Sequence, residues 1–197
     1  MSNQIETTFQ VQLTNRNRVT VAYRAILVAP VAFFLATFTV DAWDNNNSST
    51  YGLFILPVMV ALLFRGKYPS YVLAFNKALF GLANRIWAYF TLLTDEYPSI
   101  EESNVVSITY PEVGDGQQLS RGLALIKWFL AIPLYIVGIA YAVVGLVMMI
   151  LGWFSIVLTG SLPASYADTI VRVSQYWNRV YGYAILLVTD EYPTFAL

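Results

Sequence analysis

Thr94-Asp95-Glu96-Tyr97-Pro98 returns near the C-terminus as Thr189-Asp190-Glu191-Tyr192-Pro193. The residues ahead of each copy correspond as well. Asn84-Arg85 precedes the first and Asn178-Arg179 the second, and Pro69 and Pro163 each lie fifteen residues before their asparagine. Farther upstream, Arg18, Arg24 and Pro30 sit six apart, as do Arg121, Lys127 and Pro133. Spacings this consistent predict two tandem copies of one unit, a duplicated domain rather than a solenoid. The first copy spans 1–98, with a strand, a membrane hairpin over 19–65 and an amphipathic helix over 69–93. The second spans 99–197, with a linker and strand over 99–117, a hairpin over 120–160 and a helix over 163–188.

The chain is 57% hydrophobic and 12% charged with a mean hydropathy of +0.57, which points to a membrane protein. It has no cysteine and no histidine, so thiol chemistry and the commonest general base are excluded. Met1 to Arg18 lacks the apolar core of a signal peptide. The first hairpin has arms Ala25–Val40 and Tyr51–Phe64 around a polar turn, Asp41 to Thr50. Trp128 to Leu158 is a run of 31 residues without a charge. One straight helix of that length would measure about 46 Å against a hydrocarbon core of about 30 Å. The repeat therefore favours a second hairpin turning near Val137 to Val143, where Gly138 permits a bend. Its cost is a turn whose backbone groups need partners in lipid. In a two-hairpin topology all eleven cations fall on one side, the positive-inside pattern, with both termini cytoplasmic.

Alternation of apolar and polar residues over Phe9–Leu13 and Val106–Tyr110 predicts two short strands outside the membrane; an irregular tail and linker are the alternative. In Pro163–Val188 a narrow polar stripe (Ser165, Asp168, Arg172, Gln175, Arg179, Gly182) predicts a helix at the membrane–water boundary, with a crossing helix as the alternative. Its counterpart, Pro69–Leu93, carries Ala74, Ala78, Gly81 and Ala88 in place of the polar stripe, which suggests contact with the other unit. Gly138, Gly145 and Gly152, seven apart, read as close-packing points wherever one helix runs through them.

The candidate site residues are Arg18, Arg24, Arg121, Lys127, Arg85, Arg179, Asp95, Glu96, Asp190 and Glu191. The carboxylates match the Asn-Arg pairs or the cations Arg18 and Arg121, and each Asp-Glu-Tyr-Pro reads as a helix stop with an ion pair rather than as an acid–base pair. Arg24 and Lys127 read as snorkelling cations that fix the depth of each first arm, with anionic headgroups as the alternative partner. No pattern points to a metal, a cofactor or nucleic acid.

Arg121, Lys127, Ile132-Pro133, Trp153-Phe154, Thr159-Gly160, Asn178-Arg179 and Thr189 to Pro193 together resemble a family of bacterial membrane proteins known as domain of unknown function 4389. The second unit looks like a full copy. The first looks diverged, with Arg65-Gly66 where Thr159-Gly160 stands and a polar loop inserted. The resemblance implies a multipass protein of the bacterial inner membrane and carries over no activity.

The reading is an all-α integral membrane protein of two pseudo-repeats with short strands outside the bilayer, whose partners are the lipid bilayer, anionic lipids and a membrane-protein partner or second copy. Its expected role is non-enzymatic: a scaffold, an accessory subunit or a bilayer-shaping element. A small transporter or channel subunit is the second reading, weakened because Trp128–Leu158 carries no ionisable group. A lipid-modifying enzyme using Asp95-Glu96 and Asp190-Glu191 is the third.

Overall fold

The computed structural model describes residues 3–39 and 55–197. The elements run β1 (Glu6–Phe9), α1 (Arg18–Ala22), α2 (Arg24–Leu27), α3 (Ala29–Thr39), α4 (Ile55–Arg65), α5 (Ser70–Phe90), β2 (Val106–Thr109), α6 (Leu123–Leu130), α7 (Ile132–Thr159) and α8 (Ala164–Ala184). The expected polar turn Asp41–Thr50 lies outside the described residues.

α5 and α8 are each 21 residues long, each begins after a proline, and α8 starts 94 positions after α5. Proline suits that place because the first helical N–H groups have no partner in any helix. Both helices end sooner than the sequence suggests. The stop is not the proline of Asp-Glu-Tyr-Pro but a leucine in the left-handed region, Leu92 (φ 71°) and Leu187 (φ 55°). Such a backbone costs a leucine about 1–3 kcal/mol. Complete burial of both side chains, 2% and 0% exposed, offsets it.

The second hairpin is corrected by the structure. The expected turn at Val137–Val143 lies inside α7, one continuous helix of 28 residues and about 42 Å. Gly138 makes no bend; it lets α8 approach. A Cβ there would lie 2.7 Å from the Trp177 ring, one at Gly145 3.3 Å from Val173, and one at Gly152 2.8 Å from Leu162. The seven-residue spacing is thus the seam along which α8 returns antiparallel to α7, through the turn at Gly160–Pro163. In the first half the corresponding stretch is α3 and α4.

The strands pair antiparallel, Glu6 with Thr109 through Phe9 with Val106. β2 falls where alternation places it. β1 starts three residues earlier and ends at Phe9; past it Gln10 N–H still donates to Val105 O beside β2, while Gln12 N–H turns to Leu93 O. The strands are exchanged between the halves. β1 lies on α8, with Gln175 donating to Thr7 O (2.8 Å) and Asn178 to Thr7 Oγ1 (3.0 Å). β2 runs into Tyr110, which packs on α5 through Phe80 and Lys77.

Two core clusters mix residues of both halves. One joins Ile5, Leu62, Tyr68 and Phe80 to Leu119, Leu186 and Leu187; the other joins Val21, Ala88 and Leu93 to Ile156, Leu162 and Ile170. The apolar side of α8 is covered by protein: Tyr176, Val180 and Tyr183 are buried. α5 does meet the second half, but of its four small residues only Ala88 is buried. The contact is made instead by Asn178 Nδ2 donating to Asn84 Oδ1 (2.6 Å), Phe80 stacked on Tyr181 at 5.0 Å, and Trp87 Nε1 donating to Ser174 Oγ (3.0 Å).

The glycine seam makes a graded prediction for melting temperature in detergent. Gly138→Ala should destabilise by about 1–3 kcal/mol through overpacking. Gly145→Ala should cost less, and Gly122→Ala, where a Cβ meets nothing within 4 Å, should cost nothing.

Candidate functional site

Each half holds one buried ion-pair node. In the first, Arg24 Nη2 lies 2.5 Å from Asp95 Oδ1, and Arg24 Nη1 donates to Tyr89 O (2.8 Å) and Thr94 O (2.9 Å). Its guanidinium sits 4.3 Å from the Tyr89 ring centroid. In the second, Lys127 Nζ stands 2.7 Å from Asp190 Oδ1, donates to Thr189 O (2.6 Å) and lies 5.2 Å from the Tyr183 ring centroid. The second oxygen of each aspartate accepts a backbone N–H at the mouth of the first helix of its half: Asn17 N to Asp95 Oδ2 (2.7 Å) and Ser120 N to Asp190 Oδ2 (2.6 Å). The αL leucines turn the chain so that threonine and aspartate face the cation.

The expected partners therefore change. Arg24 and Lys127 do not snorkel; they are 3% and 1% exposed and bind the aspartates. Arg18 and Arg121, expected opposite the carboxylates, reach across to the other half. Arg18 lies at Gly160 and Arg121 at Gly66, both at positive φ, where a Cβ would come within 3.2 and 2.6 Å of the arginine Nε. Arg85 donates to Ser99 O (2.9 Å) and Ile100 O (3.3 Å), and Arg179 to Ala196 O (2.6 Å), so both fasten the segment after the motif. Glu96 is exposed. Glu191 accepts from Asn3 N (2.6 Å) and ties the chain's start to its end. The glutamates thus do not join the aspartates as acid–base pairs.

One residue escaped the sequence reading. Arg16 is fully buried and donates to Asp95 Oδ1 through Nε (2.9 Å) and Nη2 (2.7 Å), and to Leu92 O. The position 103 residues on, the offset between Arg24 and Lys127, is Leu119. Its signal was a cation where the corresponding position of the second half has a leucine.

Burial pushes the Asp95 carboxyl up, but the bonds from Arg16, Asn17 and Arg24 outweigh it and hold it below the ordinary value. Asp190 is likewise lowered by Lys127 and Ser120 against burial. Among the described residues no group of three His, Cys, Asp or Glu is placed to hold a metal. With both carboxylate oxygens engaged, the nodes pin helix to loop.

Residues 121–196 match, as a single copy, the family described as Domain of unknown function (DUF4389). No curated protein and no solved structure matches the chain.

Removing one partner of a buried pair costs about 3–5 kcal/mol. Asp95→Asn, which strands two cations, should lower the melting temperature more than Asp190→Asn, which strands one. A group whose folded pKa is depressed stabilises above its unfolded pKa and loses that contribution as pH falls through the folded value. Stability should therefore be flat above about pH 5 and fall under acid. Asp95→Asn should flatten the acid limb of a melting-temperature profile.

Proposed function

We propose that this chain carries two tandem copies of the family domain, the first diverged, and is a non-enzymatic scaffold or bilayer-shaping protein of a bacterial cytoplasmic membrane. It lies in the cytoplasmic leaflet with both termini on the cytoplasmic side. The two-copy reading is supported by the paired nodes and by reciprocal contacts: Phe80 with Tyr181 and Trp87 with Ser174 exchange places under the offset of α5 and α8.

The observation that carries the membrane reading is the outer face of α7. Ile132, Ile136, Ile139, Val143, Leu146, Ile150, Phe154 and Leu158 are exposed along its whole length, and only 17% of its most apolar window is buried. A continuous apolar face of this kind needs a cover other than water. Phe33, Phe64 and Phe129 add exposed apolar surface from α3, α4 and α6.

Length alone would let α7 cross. Its surroundings favour lying along the surface. α8 packs Val173 on Gly145 at the midpoint of α7, so the adjacent pair Arg172–Asp168, 55% and 58% exposed, would sit at mid-membrane in a crossing orientation. Charges there cost several kcal/mol. Cations also flank both ends of α7, Lys127 before it and Arg18 at Gly160. In-plane insertion keeps all of them on one side, and wedging apolar surface into one leaflet strains the bilayer toward curvature.

Cysteines placed singly at Gly122 and Thr159, at opposite ends of the α6–α7 rod, should react with a membrane-impermeant maleimide from the cytoplasmic side only. Labelling from opposite sides would mean a crossing helix. Recovery of the chain in the soluble fraction after cell lysis would end the membrane reading altogether.

A further inference from the structure

Between α1–α2 and α7 lies a cavity of about 220 Å³ lined by Val21, Arg24, Ala25, Phe90, Met149 and Trp153, among others. It is below the roughly 300–1,000 Å³ of a small-molecule site, so it admits a single slender segment rather than a ring system. Its walls are apolar except at Arg24. That side chain is 3% exposed, and its Nε–H has no acceptor among the described residues while Nη1 and Nη2 are both engaged. A buried charged donor without an acceptor is costly.

Charge points the same way. Arg16 and Arg24 face one carboxylate, Asp95, which leaves this node one positive charge in excess. The node of the second half is balanced, Lys127 against Asp190, because Leu119 stands in the place of Arg16. An apolar slot, an unsatisfied N–H and a surplus buried cation occur together in the first half.

We propose that this cavity binds the anionic end of a lipid, an oxygen with one slender segment behind it: the carboxylate of a free fatty acid or the phosphate of an anionic phospholipid. The oxygen accepts from Arg24 Nε, and the adjoining carbons lie against Phe90, Met149 and Trp153. Ala22, Ala25 and Ile150, all exposed, border the cavity. The membrane placement proposed above bears only on how the lipid arrives, sideways from the leaflet.

The test uses the full chain in non-ionic detergent and reads quenching of Trp153 fluorescence, with Trp153→Phe as background. Four nitroxide-labelled probes are titrated: stearic acid, its methyl ester, phosphatidylglycerol and the corresponding diacylglycerol, which lacks the phosphate. Saturable quenching by stearate, by phosphatidylglycerol or by both is expected, and which of them acts identifies the source of the anion. The two probes without an anionic oxygen, the ester and the diacylglycerol, should bind about tenfold more weakly. Ala25→Phe, which narrows the slot away from the ion pairs, should abolish saturation with an unchanged melting temperature. Equal quenching by all four probes, no saturable quenching, or full quenching in a folded Ala25→Phe variant would overturn the proposal. Should that variant fail to fold, probe selectivity in the wild-type chain decides. Micelles contain no bilayer, so the two readings separate. Binding of stearate by a chain that ignores vesicles sinks the membrane placement alone, and insertion into vesicles without either anion binding sinks this one.

Discussion

The carboxylates of Asp95 and Asp190 each hold three things at once: a buried cation from the helices that open the half (Arg24 of α2, Lys127 of α6), a backbone N–H where those helices begin (Asn17, Ser120), and, through the adjoining threonine carbonyl, the loop that closes the long helix. A buried ion pair is weak evidence for stability taken alone, because desolvation offsets attraction. Here it selects one arrangement. Only with α2 or α6 against the loop after α5 or α8 do the carboxylate and the carbonyls all meet a cation. The left-handed leucines, strained by themselves, are held in place by that requirement.

The second constraint is that neither half owns a complete core. The exchanged strands and the two mixed clusters leave each half with apolar surface that only the other covers. Two smaller clusters do stay within a half, Val28, Val31, Leu82 and Tyr89 in one and Ala131, Leu134, Tyr176 and Tyr183 in the other. They fix each long helix against its own first helices. The mixed clusters fix the halves to each other, around Asn84 and Asn178.

Much of this was legible in the residues. The prolines, the Asn-Arg pairs and the Thr-Asp-Glu-Tyr-Pro elements located α5 and α8 to within a few residues, because local chemistry sets helix starts. The glycine spacing marked the α7–α8 seam, while Gly138 also admitted a bend; glycine permits both, and only the presence of Trp177 and Tyr176 decides between them. The ion pairs were assigned to the wrong cations. Arg24 and Asp95 are 71 positions apart, and charge alone does not distinguish Arg18 from Arg24 as a partner. Burial does, and burial belongs to the assembled chain. Arg16 is likewise far in sequence from Asp95, although the leucine at the corresponding position of the second half, Leu119, is visible in the residues.

The exchanged strands have a consequence for how the chain reaches its structure. Ile5 packs on Gly182, Thr7 bonds Gln175 168 positions away and Asn3 bonds Glu191 188 positions away, so β1 can pair with β2 long before its seat on α8 exists. Closing so long a loop is slow. Until then both shared cores stay incomplete, and much apolar surface stays open to wrong associations.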